Sequence, residues 1–319
     1  MNPVTNICIK ATEYALHLSE MQYLQEKIMG IIKGFGLTHF HYTEIIFSFS
    51  AIILAFLIEL IFVGWQHSSV KRLFGFDKSL RTDFISCLLS VFNLYNVLAF
   101  LFSFGICYYL VGLIQKSLDL KLIWHIRNYF LQCAIIFVVS DFKEYVRHIV
   151  FHRVKPLWKL HEFHHSGTDL NIITNYRGHF LETAIVKFFD VIPYIILGAP
   201  FYTFFVVYAF VELHHLLVHS SLKSDWGLIG KYLLVSPDAH KIHHSNQDKH
   251  FNTNMGATLI VWDRLFGTYY PSEPVHEFGI PDNPYNKESY VKDLFLGISQ
   301  FTKSSAVELK SLLKSKKTT

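Results

Sequence analysis

Long apolar runs alternate along this chain with short basic stretches, and the runs predict its elements. Ile45–Val63 is a 19-residue apolar run broken only by Glu59, long enough to cross the hydrocarbon core of a bilayer. Residues 91–114 carry no charge and form a second candidate span. Residues 129–140 form a third and weaker one. They follow Arg127 and continue without a breaker into "DFKEYVRHIVFH", which predicts one long helix that leaves the bilayer and carries His148 and His152 on its protruding end. Residues 184–218 are apolar but punctuated by Pro193, Gly198 and Pro200. That predicts two shorter helices joined by a bend, a hairpin entering the membrane and returning. Residues 11–32 mix charged and apolar positions at loosely helical spacing and read as an interfacial helix. The first long apolar run begins near Ile45, so no cleavable leader is expected.

Composition strengthens the membrane reading. The 319 residues are 51% hydrophobic and only 17% charged, with 30 Phe and 17 Tyr, which is too apolar for an ordinary soluble domain. The expected fold is an all-α integral membrane protein, with several transmembrane helices and a cytoplasmic histidine-rich helical cap. Its divisions are an interfacial helix and transmembrane anchor (1–122), a histidine-rich catalytic domain with the membrane hairpin (123–271) and a cytoplasmic tail (272–319).

Charge orients this arrangement. Lys71, Arg72, Lys78 and Arg81 lie between the first two spans, and Lys143, Arg147, Arg153, Lys155 and Lys159 follow the third. The link at 115–121 holds only two lysines and an aspartate. By the positive-inside rule the histidine-rich segments and the C-terminus face the cytoplasm. The formal net charge is only +4, partly from tail lysines such as Lys303, Lys310 and Lys314. A cytoplasmic anchor fits that excess, and no nucleic-acid partner is expected. Glu59, a carboxylate inside a span, is a functional candidate, although near the cytoplasmic end it can also snorkel to water. Cys8, Cys87, Cys107 and Cys133 are scattered with no C-x-x-C, so neither a disulfide framework nor a thiolate metal site is expected.

The chemistry lies in the histidines. His-x-x-His-His occurs twice, in "LHEFHHS" at 160–166 and "AHKIHHS" at 239–245. With 19 histidines in the chain, one such match is expected on the order of 0.07 times. Two further groups are "HIVFH" (His148, His152) and "HLLVH" (His215, His219). Residues three and four apart share a helix face, so each group aims its imidazoles one way. The four groups together are His148, His152, His161, His164, His165, His215, His219, His240, His243 and His244. Ten imidazoles exceed what one structural or catalytic zinc uses. They suit two ions, each with room for a small molecule. Imidazole binds iron, zinc and copper alike. A site beside a bilayer, however, meets substrates whose reactive handles are C–H bonds, and attacking those with O2 requires iron or copper.

The run "DFKEYVRHIVFH … PLWKLHEFHHS", then "NYRGHFLE", "SPDAHKIHHS" and "NMGATLIVWDRLFGTY" resembles the fatty-acid hydroxylase and sterol desaturase superfamily of membrane-bound histidine-box di-iron oxidases over residues 141–270. The resemblance implies that His148, His152, His161, His164, His165, His240, His243 and His244 bind metal. It also implies two iron ions as cofactor, with zinc an expected substitute on overexpression, and O2 as co-substrate. Asn254, Trp262 and Asp263 fall in the closing motif. Beyond the ligands, His179 and Asp263 are candidates to support them, since ligating imidazoles commonly donate their other N–H to a carboxylate. The chain departs from many members at Ile149, where Arg is usual, at Phe180 after His179, where Pro is usual, and at His215, which is often Gln.

The reading is a membrane-bound lipid or fatty-acyl hydroxylase or desaturase. It would draw electrons from a separate donor, since no flavin, haem or iron–sulfur motif is present. The alternatives are a sterol- or ether-lipid-directed oxidase of the same superfamily and a non-catalytic metal-binding or transport protein. A bacterial inner membrane is favoured over the endoplasmic reticulum, for which the terminal "KKTT" would serve as a dilysine signal.

Overall fold

Helix α1 (Tyr42–Val63) turns small or short residues such as Ala51 and Ala55 inward and leaves Ile53, Leu57, Ile61 and Phe62 exposed. The computed structural model to which it belongs describes residues 42–75, 77–102, 113, 122–197 and 201–315. Among these residues α1 is the one helix long and apolar enough to cross a membrane. The interfacial helix expected at 11–32 lies outside the described residues.

Caps and breakers set the next boundaries. A single turn, α2 (Ser69–Arg72), starts where the Ser68 hydroxyl accepts from Lys71 N. Asp77 caps α3 (Lys78–Val91) by accepting from Leu80 N at 2.7 Å. At 91–114 the helix does not run through. It ends at Val91, Asn93 takes a left-handed conformation (φ 59), and α4 (Leu94–Phe102) begins a new direction. Hydropathy cannot see such a break, because asparagine enters that region at little cost. Most of 103–121 lies outside the described residues.

The long helix expected after Arg127 is present as α5 (Tyr129–Arg153), 25 residues capped by Asn128. Its far end is packed inside the protein. His148 is buried, because α5 packs against α6 (Lys155–His165), α7 (Phe180–Leu197) and α8 (Phe201–Val218). Val154 is extended and Pro156 sits in the first turn of α6, so the chain turns sharply between α5 and α6. The two helices expected at 184–218 are α7 and α8. Pro193 lies within α7 rather than at the break.

Three short or late elements finish the site. They are α9 (Gly227–Tyr232), α10 (Pro237–His243), started by Pro237 and the Ser236 cap, and α11 (Val261–Phe266), stopped by Gly267 at φ 74. The terminal α12 (Tyr290–Ser315) lies along α6. No strand occurs among the described residues; two isolated bridges join Leu234 to Leu259 and Ser245 to Phe278. The expected all-helical class therefore holds. Multiple spans remain a proposal.

Glu59 acts as a clamp. It is fully buried, and its carboxylate accepts from Ser69 N and Ser69 Oγ, both at 2.7 Å, and from Ser221 N at 2.6 Å. The end of α1 is thus tied to the segment that follows α8. A second tie is the buried ion pair of Arg177 with Asp83 (2.6 Å), where the same guanidinium also donates to Phe163 O and Ser79 O. It joins α3 and α6 to the loop that leads into α7.

Candidate metal centre

Four helix ends deliver the histidines to one place. The last turns of α5 and α6 bring His148, His152, His161, His164 and His165; α8 ends just before His219; α10 supplies His240 and His243, with His244 at its C-terminus. Two groups form. The ring nitrogens of His148, His152, His165 and His243 converge within 4.8 Å, and so do those of His164, His219, His240 and His244. The groups adjoin, for the His165 and His244 rings stack at 4.4 Å.

This arrangement explains the doublets. Adjacent residues on a helix project about 100° apart, so His164 and His165 cannot face one ion together. The helix sends His165 to the first group and His164 to the second, and α10 likewise sends His243 to the first and His244 to the second. A motif ending in His-His therefore sends one imidazole to each of the two groups.

The donor chemistry fits a cation in each group. Carbonyl oxygens only accept, so an imidazole nitrogen facing one carries the proton and leaves its other nitrogen as a lone pair. His148 Nδ1 donates to Met255 O (2.8 Å), His164 Nδ1 to Arg177 O (2.8 Å), His219 Nδ1 to His215 O (2.8 Å) and His243 Nδ1 to Thr253 O (3.0 Å). In each the Nε2 is left to face the cluster. The Nε2 atoms of His152, His161, His165 and His243 are buried without a partner, which is costly unless a ligand satisfies them. His240 Nε2 lies 3.0 Å from His219 Nε2 and 3.2 Å from His244 Nε2. Two nitrogens bound to one ion at ordinary bond lengths lie roughly 2.9–3.4 Å apart.

Electrostatics point the same way. Burial first, then the neighbouring imidazoles, holds His148, His152, His164, His165, His240 and His244 well below the ordinary histidine pKa. Burial lowers His243 to about 4 and His219 to about 3. The rings are neutral at physiological pH, the form in which imidazole binds metal.

Two of the ten expected histidines stand outside both groups. His161 sits among the rings of His148, His152 and His165, at 5.0, 5.0 and 5.1 Å. Its Nδ1 pairs with Glu182 Oε1 at 2.7 Å. Burial alone would raise Glu182, yet His161 and Arg147 hold its carboxyl below the usual range. His215 turns its Nε2 toward Thr258 Oγ1, 3.3 Å away. His214 points elsewhere, donating from Nε2 to Val235 O at 2.9 Å.

The two supporting candidates differ. Asp263 is fully buried and accepts from Met255 N (2.6 Å), Gly256 N (2.8 Å) and Thr268 Oγ1 (2.5 Å), while burial raises its pKa to about 6. It does not touch an imidazole. It holds Met255, whose carbonyl holds His148. His179 has both ring nitrogens engaged by backbone, Nε2 with Leu294 O and Nδ1 with Leu181 N, so it ties α7 to α12. Asn254, in a left-handed conformation (φ 49), donates to Ala239 O and Tyr270 O and so braces α10.

Residues outside the histidine pattern also belong here. Asp141 accepts from Thr258 N, Leu259 N and Trp262 Nε1, pinning the closing motif to α5. Glu182 ends the "NYRGHFLE" run, but nothing in that run tells which imidazole it meets. A cavity of about 380 Å³ opens beside the histidines, lined on its metal side by His148, His161, His164, His215, His219 and His240.

Residues 133–268 match the fatty acid hydroxylase family model. The ornithine lipid hydroxylase OlsE of Rhizobium tropici is 33% identical over 138 residues, which is 43% of this chain and 41% of that protein. The alkylglycerol monooxygenase of Xenopus tropicalis is 31% identical over 146 residues, 45% of this chain and 32% of that protein. The fatty acid hydroxylase vlmA of Lecanicillium sp is 28% identical over 148 residues, 41% of this chain and 40% of that protein. The similarity to the fatty acid hydroxylase family thus covers residues 133–268, less than half of this chain. The chain matches less than half the length of these relatives. No solved structure matches it.

Proposed function

We propose that this chain is a membrane-bound, O2-dependent hydroxylase of an aliphatic C–H bond in a lipid. It would work through two iron ions and draw electrons from a separate donor. The observation that carries the reading is the pair of four-histidine groups with Nε2 atoms turned inward. His148, His152, His165 and His243 would hold one ion, and His164, His219, His240 and His244 the other. His161, with its free Nε2 between the rings, and His215, on the cavity wall, would complete the shells. Bound iron supplies the redox chemistry with O2 that no side chain can.

The chain's own residues perform the rest. Backbone carbonyls fix four imidazole orientations, and Glu182 fixes a fifth. Such partners commonly set ligand basicity and geometry. Burial of the histidine cluster would keep bulk water from the bound ions. The cavity beside the histidines, with His215 and Glu182 on its wall, would take the substrate. Relatives named for ornithine lipids and alkylglycerols support a lipid substrate, and the exposed apolar face of α1 supports membrane attachment. The cytoplasmic orientation is proposed on loop charge, the domain divisions on the apolar and histidine pattern, and the bacterial inner membrane because a lysine-rich tail mimics a dilysine signal by chance.

Anaerobically purified protein should hold about two irons per chain, and a single tetrahedral ion would overturn the dinuclear reading. Lipid mass spectrometry of a host with and without the active protein should reveal new hydroxylated species. Unchanged hydroxylated and unsaturated lipids would overturn the activity.

A further inference from the structure

The cavity has a second polar wall that the metal reading does not use. Glu212, on α8, lines it together with Tyr176, Asn175 and Ser90. Glu212 is buried, within an otherwise apolar stretch between Val211 and Leu213. Its Oε1 accepts from the Tyr176 hydroxyl at 2.5 Å, and its Oε2 has no hydrogen bond among the described residues. A carboxylate can accept up to four hydrogen bonds, so Glu212 keeps acceptor capacity to spare on the cavity wall. Helix register relates it to the site. Glu212, His215 and His219 stand at i, i+3 and i+7, on one face of α8. At 1.5 Å rise per residue, Glu212 lies about 10 Å along the axis from His219.

We propose that Glu212, held by Tyr176, is the specificity-determining contact of this cavity. It accepts a hydrogen bond from a hydroxyl or N–H of the substrate's polar headgroup, so the oxidised carbon lies near that headgroup rather than far down an acyl chain. This inference rests on the lipid-hydroxylase reading. Tyr176 occupies one oxygen and aims the other into the cavity, where a donor on the lipid completes it. A lipid lacking a donor would bury Glu212 unpaired and be rejected. A purely apolar chain end, pushed past Glu212 toward the histidines, would meet the same penalty.

The test separates binding from turnover. Two probes are used, 1-palmitoylglycerol, with two free hydroxyls, and its dimethyl ether, with the same chain and no donor. Their affinities are measured calorimetrically on the detergent-solubilised full chain loaded with zinc, which does not turn over. Wild type should prefer the free glycerol roughly tenfold to a hundredfold, and Glu212→Gln should bring the two within about threefold. In that variant the Tyr176 hydroxyl still takes the amide oxygen, leaving only an NH2 donor toward the cavity. Unchanged zinc content and melting temperature would show that the fold and the centre survive. Equal binding of the probes by wild type, no binding of either, or undiminished discrimination in Glu212→Gln would each overturn the proposal. Iron-loaded wild type that oxidises no lipid would instead sink the activity reading, and the calorimetric comparison stays readable in that case.

Discussion

Three histidines within six residues show what a single position decides. His214, His215 and His219 all lie near the end of α8, yet only His219 joins a four-histidine group. His214 donates to a backbone carbonyl and packs on Trp226. His219→Ala should therefore strip metal, losing a donor outright, whereas His214→Ala should keep the full complement. His215→Ala should retain more metal than His219→Ala, since its Nε2 faces Thr258. Metal analysis by mass spectrometry on the three variants decides this. Depletion in His214→Ala equal to that in His219→Ala would show that the register is wrong. The separate direction of His214 follows from spacing alone, because His215 and His219, four apart, share a helix face that the neighbouring position does not. Spacing gave no sign that His215 would stop short of the groups, since the reach of a side chain depends on what packs opposite.

Among elements, the turn between α10 and α11 does more than connect. Asp263, at the start of α11, holds the amides of Met255 and Gly256, and the Met255 carbonyl holds His148 on α5. Gly256 has no room for a side chain, since a Cβ would meet Leu259 O at 2.6 Å and Asp263 Oδ2 at 2.7 Å. Gly256→Ala should cost about 1–3 kcal/mol by overpacking and weaken metal retention by displacing His148. Chemical denaturation and metal content would check it; a variant as stable and as metal-rich as wild type would mean that the turn is not a support. The helices themselves were largely legible. α5 declared its length by an uninterrupted apolar run passing into a charged one, and the 184–218 region declared a split. The break at Asn93 was hidden, because it depends on one backbone conformation inside a continuous apolar run. The partners of Glu59, Glu182 and His179 were hidden too, because they come from segments 10 to 162, 21 and 115 residues distant, and local pattern carries nothing about such pairings.

At the scale of the whole molecule, the burial of so many neutral imidazoles sets a pH response. Histidine ordinarily titrates at 6.5, and here His243 lies at about 4 and His219 at about 3. Above 6.5 both folded and unfolded chains leave these groups neutral, and stability is at its full value. As pH falls below 6.5 the unfolded chain gains protons that the folded chain refuses, so stability declines until the folded groups titrate as well. The melting temperature of metal-free protein should thus drop steadily from pH 7 to pH 5. A flat profile would contradict the burial of neutral rings. Orientation in the membrane is a second molecular property. A cysteine placed within 71–81 or after Lys310 should be labelled from the cytoplasmic side only, and one near Ser117 from the other side. Labelling of Ser117 and the tail from one side would refute the three-span arrangement.

The split doublets make the two four-histidine groups mechanically dependent. One turn of α6 and one of α10 each hand a ring to both groups, so any rotation of either turn moves a ring in each group. An ion held by the first group would fix His165 and His243, and with them the backbone that presents His164 and His244. The second ion then meets a binding pocket already organised, without paying again to order it. Loading should be all or none: during metal titration, native mass spectra should hold apo and doubly loaded chains with little singly loaded species between them. The tandem motif would then be a counting device, admitting its ions in twos.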